Sequence, residues 1–351
     1  LRPELAVLAR SEVQRVSSNM KSFGTNFVID PYAIFAERLF LALISPIKYL
    51  VQDWLISVEG DRLREQLEPP DGRWIVCGAG RFGSKMLERL DDSGLPYTVV
   101  EVHPDRLEKY SSGVLGRGTE AHTLMEAGIE NAVGIIAGTG DDVDNLSIIM
   151  TALELNRSLF VVARQEKQEN DTLFDASGAH LVAKRSQIVA RRILAVVTTP
   201  LLQPFLQHLV RQDDDFAERT AARLKSVLAN KAPSMWVVDL SDDLAEGLRF
   251  ARREGIKLKL EHITHNTRSE IAESLACVCL VLERGAQRIF LPDAGYELLD
   301  GDRLLFAGRG VARREMMWAL TDPNSLMGFA TNKHLPRGLI WRWLWRRQQK
   351  S

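Results

Sequence analysis

Arg73–Val102, RWIVCGAGRFGSKMLERLDDSGLPYTVVEV, decides the fold. Trp74-Ile75-Val76-Cys77 is a continuous apolar run, short enough for a strand buried on both faces of a parallel sheet. It enters Gly78-Ala79-Gly80-Arg81-Phe82-Gly83, a complete G-x-G-x-x-G. A helical pattern follows, with Phe82, Met86, Leu87 and Leu90 on one face, and ends at Gly94 before Pro96. A second strand then delivers Glu101, 18 residues beyond Gly83. Each part has a mechanical reason. Gly78 permits the tight turn, Gly80 lets the backbone approach a pyrophosphate, and Gly83 lets the helix pack closely. The helix N-terminus attracts phosphate charge, and an acid at the second strand's tip accepts hydrogen bonds from ribose hydroxyls. The stretch predicts a nucleotide site.

At 351 residues the chain is too long for one ordinary core, so about two or three domains are expected. Its 45% hydrophobic and 26% charged residues describe a globular protein. A net charge of −1 argues against nucleic acid as a partner, because such binding needs a basic field. Cys77, Cys277 and Cys279 sit in apolar, strand-like runs without a metal or disulfide pattern, which suits a reducing compartment. No stretch reaches the ~18 apolar residues of a membrane span. The nearest, Leu39–Val51, contains Pro46 and Lys48.

The chain also repeats itself. Residues 1–46 align with residues 155–200 at a constant offset of 154 without a gap, with 13 identical pairs. Ala9-Arg10 matches Ala163-Arg164, Gly24 matches Gly178, Val28 matches Val182, and Pro46 matches Pro200. Two copies of one fold are implied. The second copy alternates strand and helix, with strands expected at Trp74–Cys77, Pro96–Val100, Gly113–Leu115, Val133–Ala137, Leu159–Ala163 and His180–Ala183. One helix opens near Thr119, and another from Asp141 would bury Leu146, Ile149, Met150 and Leu153. This is a Rossmann-like, doubly wound α/β lobe. Residues 1–44 then supply only the last two strand–helix units of a first lobe. That lobe's own Gly loop is expected about 80 residues before Leu1, preceded by apolar membrane spans.

After each copy comes an apolar helix broken by proline: Ala33–Ile44 then Pro46–Ile56, and Gln187–Val197 then Pro200–Val210. These pairs suit either packing within a domain or a dimerisation arm. The expected division is 1–59 for the partial first lobe, 60–72 for a polar linker and 73–200 for the complete nucleotide-binding lobe. Residues 201–233 are crossover helices, including a charged one over Arg211–Asn230. Residues 234–311 form a small α+β lobe, with strands at Trp236–Leu240, Ala276–Leu282, Arg288–Leu291 and Leu304–Ala307 and a helix near Ala245–Glu254. The tail, 312–351, is basic toward its end, with Trp341, Trp343 and Trp345 interleaved. It suits a membrane interface, an added edge strand or a segment docked on its own protein.

The second lobe resembles the N-terminal lobe of RCK domains, also called KTN or TrkA-type, which regulate potassium channels and transporters. The likeness rests on GAGRFG with Glu101, on Leu124–Ala137 (LMEAGIENAVGIIA), on Gly138–Asn145 (GTGDDVDN), and on Val161–Arg164 with Gly178–Val182. Leu5–Pro31 resembles the end of another such lobe, and PDAGYELLDGDRLLFAG, ending at Gly308, resembles the closing turn and strand of the family's small C-terminal lobe. Two departures stand out. Gly116-Arg117-Gly118-Thr119 replaces the family's usual Gly-Asp-Ala/Gly-Thr, so an arginine stands where an acid is usual and can meet phosphate. The first lobe also runs directly into the linker, without a C-terminal lobe of its own.

The resemblance implies the cytoplasmic, ligand-sensing region of a tandem-RCK potassium channel or transport system, at the inner face of the plasma membrane. It implies a transmembrane pore, upstream in the same gene or on a partner chain, and self-association as a dimer or tetrameric ring. It also implies NAD or NADH as the ligand, or ATP or ADP, and regulation rather than catalysis. Candidate ligand-binding residues are Gly78, Gly80, Arg81, Phe82, Gly83, Glu101, Val102, Thr119, Thr139, Asp142 and Arg164. Arg81 and Arg164 are candidate phosphate contacts, although Arg164 also suits an ion pair with a nearby carboxylate. Asp144 is read as a helix N-terminal acid. Divalent cations are a further candidate, with ligands at Asp213–Asp215 and Asp242-Asp243. The rival reading is a nicotinamide-dependent oxidoreductase. It needs a proton donor, for which His122 and His180 are the candidates, and neither sits in a catalytic motif.

Overall fold

In the computed structural model, the apolar run Trp74–Cys77 forms the strand on which the first half of the molecule is built. The structure describes residues 8–10, 27–184, 198–241, 257–265 and 274–321, with the single positions 20, 190 and 194. The helix expected near Ala245–Glu254 and the tail after Thr321 lie outside these residues, as does most of Gln187–Val197. Two compact units are present, 1–49 with 66–193 and 50–65 with 194–351.

The first unit opens with strands β1 (Leu8–Arg10) and β2 (Phe27–Ile29), then helices α1 (Pro31–Ile44) and α2 (Pro46–Ile56), the latter running into the residues of the second unit. The large sheet follows: β3 (Trp74–Cys77), α3 (Arg81–Ser93), β4 (Tyr97–Glu101), α4 (Pro104–Leu107), β5 (Gly113–Leu115), α5 (Ala121–Glu126) and β6 (Gly134–Ala137). It closes with α6 (Asp142–Leu155), β7 (Phe160–Gln165), α7 (Asp171–Ala176) and β8 (Leu181–Lys184). All six strands are parallel, in the order β5-β4-β3-β6-β7-β8. The order reverses between β3 and β6, and a crevice opens at the carboxyl ends of strands at such a point.

Burial follows from the pattern. Every residue of β3, β6 and β7 is buried, as continuous apolar runs in a sheet covered on both faces require. Phe82, Met86, Leu87 and Leu90 of α3 are fully buried, and the helix stops at Gly94 in the left-handed conformation. Helix α6 departs from expectation. It buries Asn145, Ile148, Ile149 and Ala152, whereas Met150 is 69% exposed. At 100° per residue, the face through 145, 148, 149 and 152 points away from 150. Leu146 and Leu153 flank it.

The repeat is visible in the backbone. Strands β1 and β2 pair in parallel as Leu8↔Phe27, Ala9↔Val28 and Arg10↔Ile29. Strands β7 and β8 pair as Val162↔Leu181, Ala163↔Val182 and Arg164↔Ala183. Each register pair maps onto its counterpart at the offset of 154. Helix α1 begins where Asp30 accepts the amides of Tyr32 and Ala33, with Pro31 in its first turn. It packs along α3 within the same chain, with the Phe35 and Phe82 rings 4.5 Å apart. Of the two readings open for Ala33–Ile44, the structure shows packing within the unit.

The second unit holds α8 (Leu202–Arg211), α9 (Asp214–Val227), β9 (Ser234–Asp239), α10 (Leu260–Ile263), β10 (Cys277–Arg284), β11 (Gln287–Phe290), β12 (Arg303–Gly308) and α11 (Gly310–Thr321). Its antiparallel sheet runs β11-β10-β12-β9 and packs Trp236, Leu304 and Phe306 with Ala312, Met316 and Leu320 of α11. The polar stretch read as a linker is divided. Residues 60–65 belong to this unit, where Gly60 and Ala232 join through Gly60 N–Ala232 O at 3.1 Å, and Leu63 N donates to Asn230 O. Asp213 accepts the Phe216 amide and so caps α9, which accounts for the acidic run there. Asp242 and Asp243 lie outside the described residues. The cysteines are free thiols, and burial pushes Cys277 up to about 12.

His208 of α8 stacks on Phe290 at 3.9 Å and meets Phe216 edge-on. Burial, then the neighbouring Arg211 charge, hold its pKa below the ordinary 6.5. A lowered histidine pKa favours the neutral form in the folded state. Its contribution to stability is therefore present above pH 6.5 and lost as pH falls below it. Thermal unfolding from pH 7.5 down to 5.5 should lower the wild-type melting temperature more than that of His208→Phe. Parallel slopes would refute this.

Candidate nucleotide site

The turn after β3 shapes the site. Gly78 has φ +96°, which L side chains rarely adopt, and its amide donates to Val100 O at 2.8 Å. Gly80 caps α3 without a side-chain acceptor, so the first-turn amides of that helix keep their capacity for an anion. A Cβ on Gly80 would meet only Arg106 Nη1, at 4.0 Å. A Cβ on Gly83 would stand 1.8 Å from Gly78 O. The first and third glycines thus build the turn, and the second leaves room above it.

A cavity of about 370 Å³ opens over this turn at the switch between β3 and β6. Of the expected residues, Gly78, Gly80, Arg81, Glu101, Val102, Thr119, Thr139 and Arg164 line it. Phe82 and Gly83 do not: Phe82 is fully buried beneath, and Gly83 acts by letting the loop close. Asp142 does not line it either. Its carboxylate accepts the amides of Glu166 and Lys167 at 2.7 and 3.0 Å and the Asn170 side chain at 2.7 Å, binding α6 to the loop after β7. Asp144 is a first-turn acid of α6, as read from the sequence, and it also faces the cavity.

Glu101 is 4% exposed. Its Oε2 accepts the Ala79 amide at 2.6 Å, and its Oε1 accepts the amides of Val102 and His103 at 3.0 and 3.1 Å. The Gly turn and the tip of β4 are therefore tied by one carboxylate. Arg164 lines the cavity, and it makes the ion pair that was its other reading: its Nε and Nη2 donate to Glu166 Oε1, the former at 2.7 Å. Buried Asn145 fixes the loop opposite, accepting from Thr139 N at 2.9 Å and donating to Arg164 O at 2.9 Å.

Tyr32, His103, Arg106, Arg117 and Gly118 also line the wall. Arg117 is the departure noted in the sequence, whereas Arg106 and Tyr32 were not singled out there. Arg106 arrives through the short helix α4, and its Nη1 lies 3.9 Å from Glu101 Oε1. The lining thus sets four arginines, Arg81, Arg106, Arg117 and Arg164, against Glu101 and Asp144. Their net positive field, with the α3 N-terminus, suits a phosphorylated anion. Cys77 forms the floor, and burial pushes its thiol up to about 12, so it stays protonated. His122 is exposed beside Glu120, and His180 accepts the Val161 amide while stacking on Phe160; neither lines the cavity. Among the described residues, no three His, Cys, Asp or Glu side chains gather as a metal site, and no helix is long and apolar enough to cross a membrane.

Residues 74–184, the whole six-stranded sheet, match the model of the TrkA-N domain. The match extends over less than half of the chain. An uncharacterized protein of Methanothermus fervidus is 31% identical over 192 residues, covering 53% of this chain and 28% of that protein. Probable potassium channel protein 2 of Methanocaldococcus jannaschii is 25% identical over 207 residues, covering 57% of this chain and 60% of that protein. The chain thus spans less than two thirds of either relative's length. The GsuK RCK domain crystal structure superposes with a TM-score of 0.46 at 16% identity, over 90% of this chain and 75% of that one. Apart from Tyr32, every residue that lines the cavity falls within the matched residues 74–184.

Proposed function

We propose that this chain is the nucleotide-sensing, gating region of a potassium channel or potassium transport protein. The observation that carries the reading is the cavity itself, where an uncapped helix N-terminus, a Gly turn and four arginines face one buried acid. The TrkA-N match and the likeness to a probable potassium channel protein support potassium flux as the process governed. NAD or NADH is the first candidate ligand, and ADP or ATP the second. The pore is transmembrane, upstream in the same gene or on a partner chain, while this region lies at the cytoplasmic face of the inner membrane and its copies associate as a dimer or tetrameric ring. No divalent cation is needed for this reading.

Regulation of this kind requires no chemistry. A ligand shifts a gate only by binding its two states unequally. Couplings of about 1–3 kcal/mol change the open–closed ratio roughly 5- to 150-fold. An oxidoreductase would need a proton donor at the cavity; His122 and His180, its candidates, lie elsewhere, although His103 lines the wall. Calorimetric titration with NAD, NADH, NADP, ATP and ADP tests the proposal. At least one should bind, and Glu101→Ala should weaken it by about tenfold or more, since the Ala79 amide loses its acceptor and the ribose its partner. Binding by none of the five would sink the sensor reading.

A further inference from the structure

Tyr32 reaches the nucleotide cavity from outside the TrkA-N domain. It belongs to α1, the helix that follows strands β1 and β2 of the first copy of the repeat, and it is 4% exposed. Two of the four cavity arginines rest on its ring. The Arg81 guanidinium lies 4.9 Å from the ring centroid, and that of Arg164 lies 5.2 Å from it. Arg164 also lies 5.5 Å from the Phe82 ring. Directly behind, the Asp30 carboxylate holds the Tyr32 and Ala33 amides. One turn along, Phe35 packs on Phe82. The start of α1 is thereby fastened to the two cations nearest the Gly turn and the end of β7.

We propose that Tyr32 is the residue through which the first copy senses occupancy of the second copy's site. The inference rests on the nucleotide reading above. A cation on an aromatic face is held weakly, whereas an arginine on a phosphate gains a charge-assisted, often bidentate hydrogen bond. A phosphate at the α3 N-terminus therefore draws Arg81 off the Tyr32 ring, and it competes with both Glu166 and the ring for Arg164. The ligand exchanges one set of arginine contacts for another, and the start of α1 is released. Because α1 leads back to the first copy, the release is delivered toward the part of the protein upstream of the site. Tyr32 acts here by positioning the arginines, and the phosphate contacts are theirs.

The test combines calorimetry with backbone-amide hydrogen exchange over residues 31–44, using ADP and NAD as probes on the full chain. In the wild type, saturating ligand should speed exchange in the first turns of α1 severalfold. Tyr32→Leu removes the ring, so ligand binding no longer has to displace the arginines. Affinity should rise by roughly 3- to 30-fold, the range spanned by a cation–π contact. Exchange at the start of α1 should be fast in that variant and insensitive to ligand. Tyr32→Phe should restore the ligand-dependent change. If Tyr32→Leu does not fold, Arg81→Gln breaks the contact from the exposed side and should abolish the α1 response while weakening binding. Binding with no change in α1 exchange, or an unaltered response in Tyr32→Leu, would overturn this inference alone. No binding by the wild type would overturn the nucleotide reading and this inference together.

Discussion

Gly83→Ala is expected to cost about 3 kcal/mol or more, a severe loss for one methyl group. The added Cβ would stand 1.8 Å from Gly78 O and 2.8 Å from Gly78 C, both backbone atoms. Neither side can move away freely. Gly83 lies in the first turn of α3, whose inward face is fully buried, and Gly78 is fixed at positive φ by its hydrogen bond to Val100. Gly80→Ala is the informative contrast. Its Cβ meets nothing closer than 4.0 Å, so stability should change by no more than about 1 kcal/mol, while the methyl occupies the approach to the helix N-terminus and weakens ligand binding. Urea unfolding of both variants, with calorimetry on Gly80→Ala, checks the pair. Wild-type stability in Gly83→Ala would mean that the turn is built differently.

Arg284→Met should destabilise the second unit by about 3–5 kcal/mol. Asp302 is fully buried, and Arg284 holds it with Nε–Oδ1 and Nη2–Oδ2 distances of 2.7 Å each. Asp302 is the first cause of the raised Arg284 pKa. Removing the guanidinium leaves the buried carboxylate with the Leu299 amide, at 2.7 Å, in place of a bidentate cation. The cost comes from the charge left behind rather than from the pair itself, so Arg284→Met with Asp302→Leu should recover part of the loss. Denaturant unfolding of the single and double variants reads this directly. A single variant as stable as the wild type, or a double variant worse than the single, would contradict it.

The sheet was legible because buried parallel strands announce themselves as unbroken apolar runs. Trp74–Cys77 and Gly113–Leu115 begin and end where the sequence placed them, and the other strands of that sheet shift at their ends by one or two residues. Helix α6 was misread for a specific reason. Its buried face includes Asn145, a polar residue that a hydrophobic pattern discards, so the face was turned toward Met150. The Gly turn and Glu101 were legible from spacing alone. Asp142 was misassigned because its acidity says nothing about direction, and the amides that it holds belong to a loop 24 residues further on. Arg106 and Tyr32 left no usable signal. One depends on the four-residue helix α4, and the other comes from a segment 46 residues before the first glycine of the turn.

The bonds from Glu101 to Ala79, Val102 and His103 also bear on timing. They tie the Gly turn to the tip of β4 through groups of the chain itself, so on the proposed function a nucleotide has little of that turn to order. Association can then run near the rate set by diffusion and by the arginine field, and the lifetime of the complex carries the differences in affinity. A receptor built this way follows a falling concentration only as fast as it lets go. Its memory of the last signal is written in its off-rate.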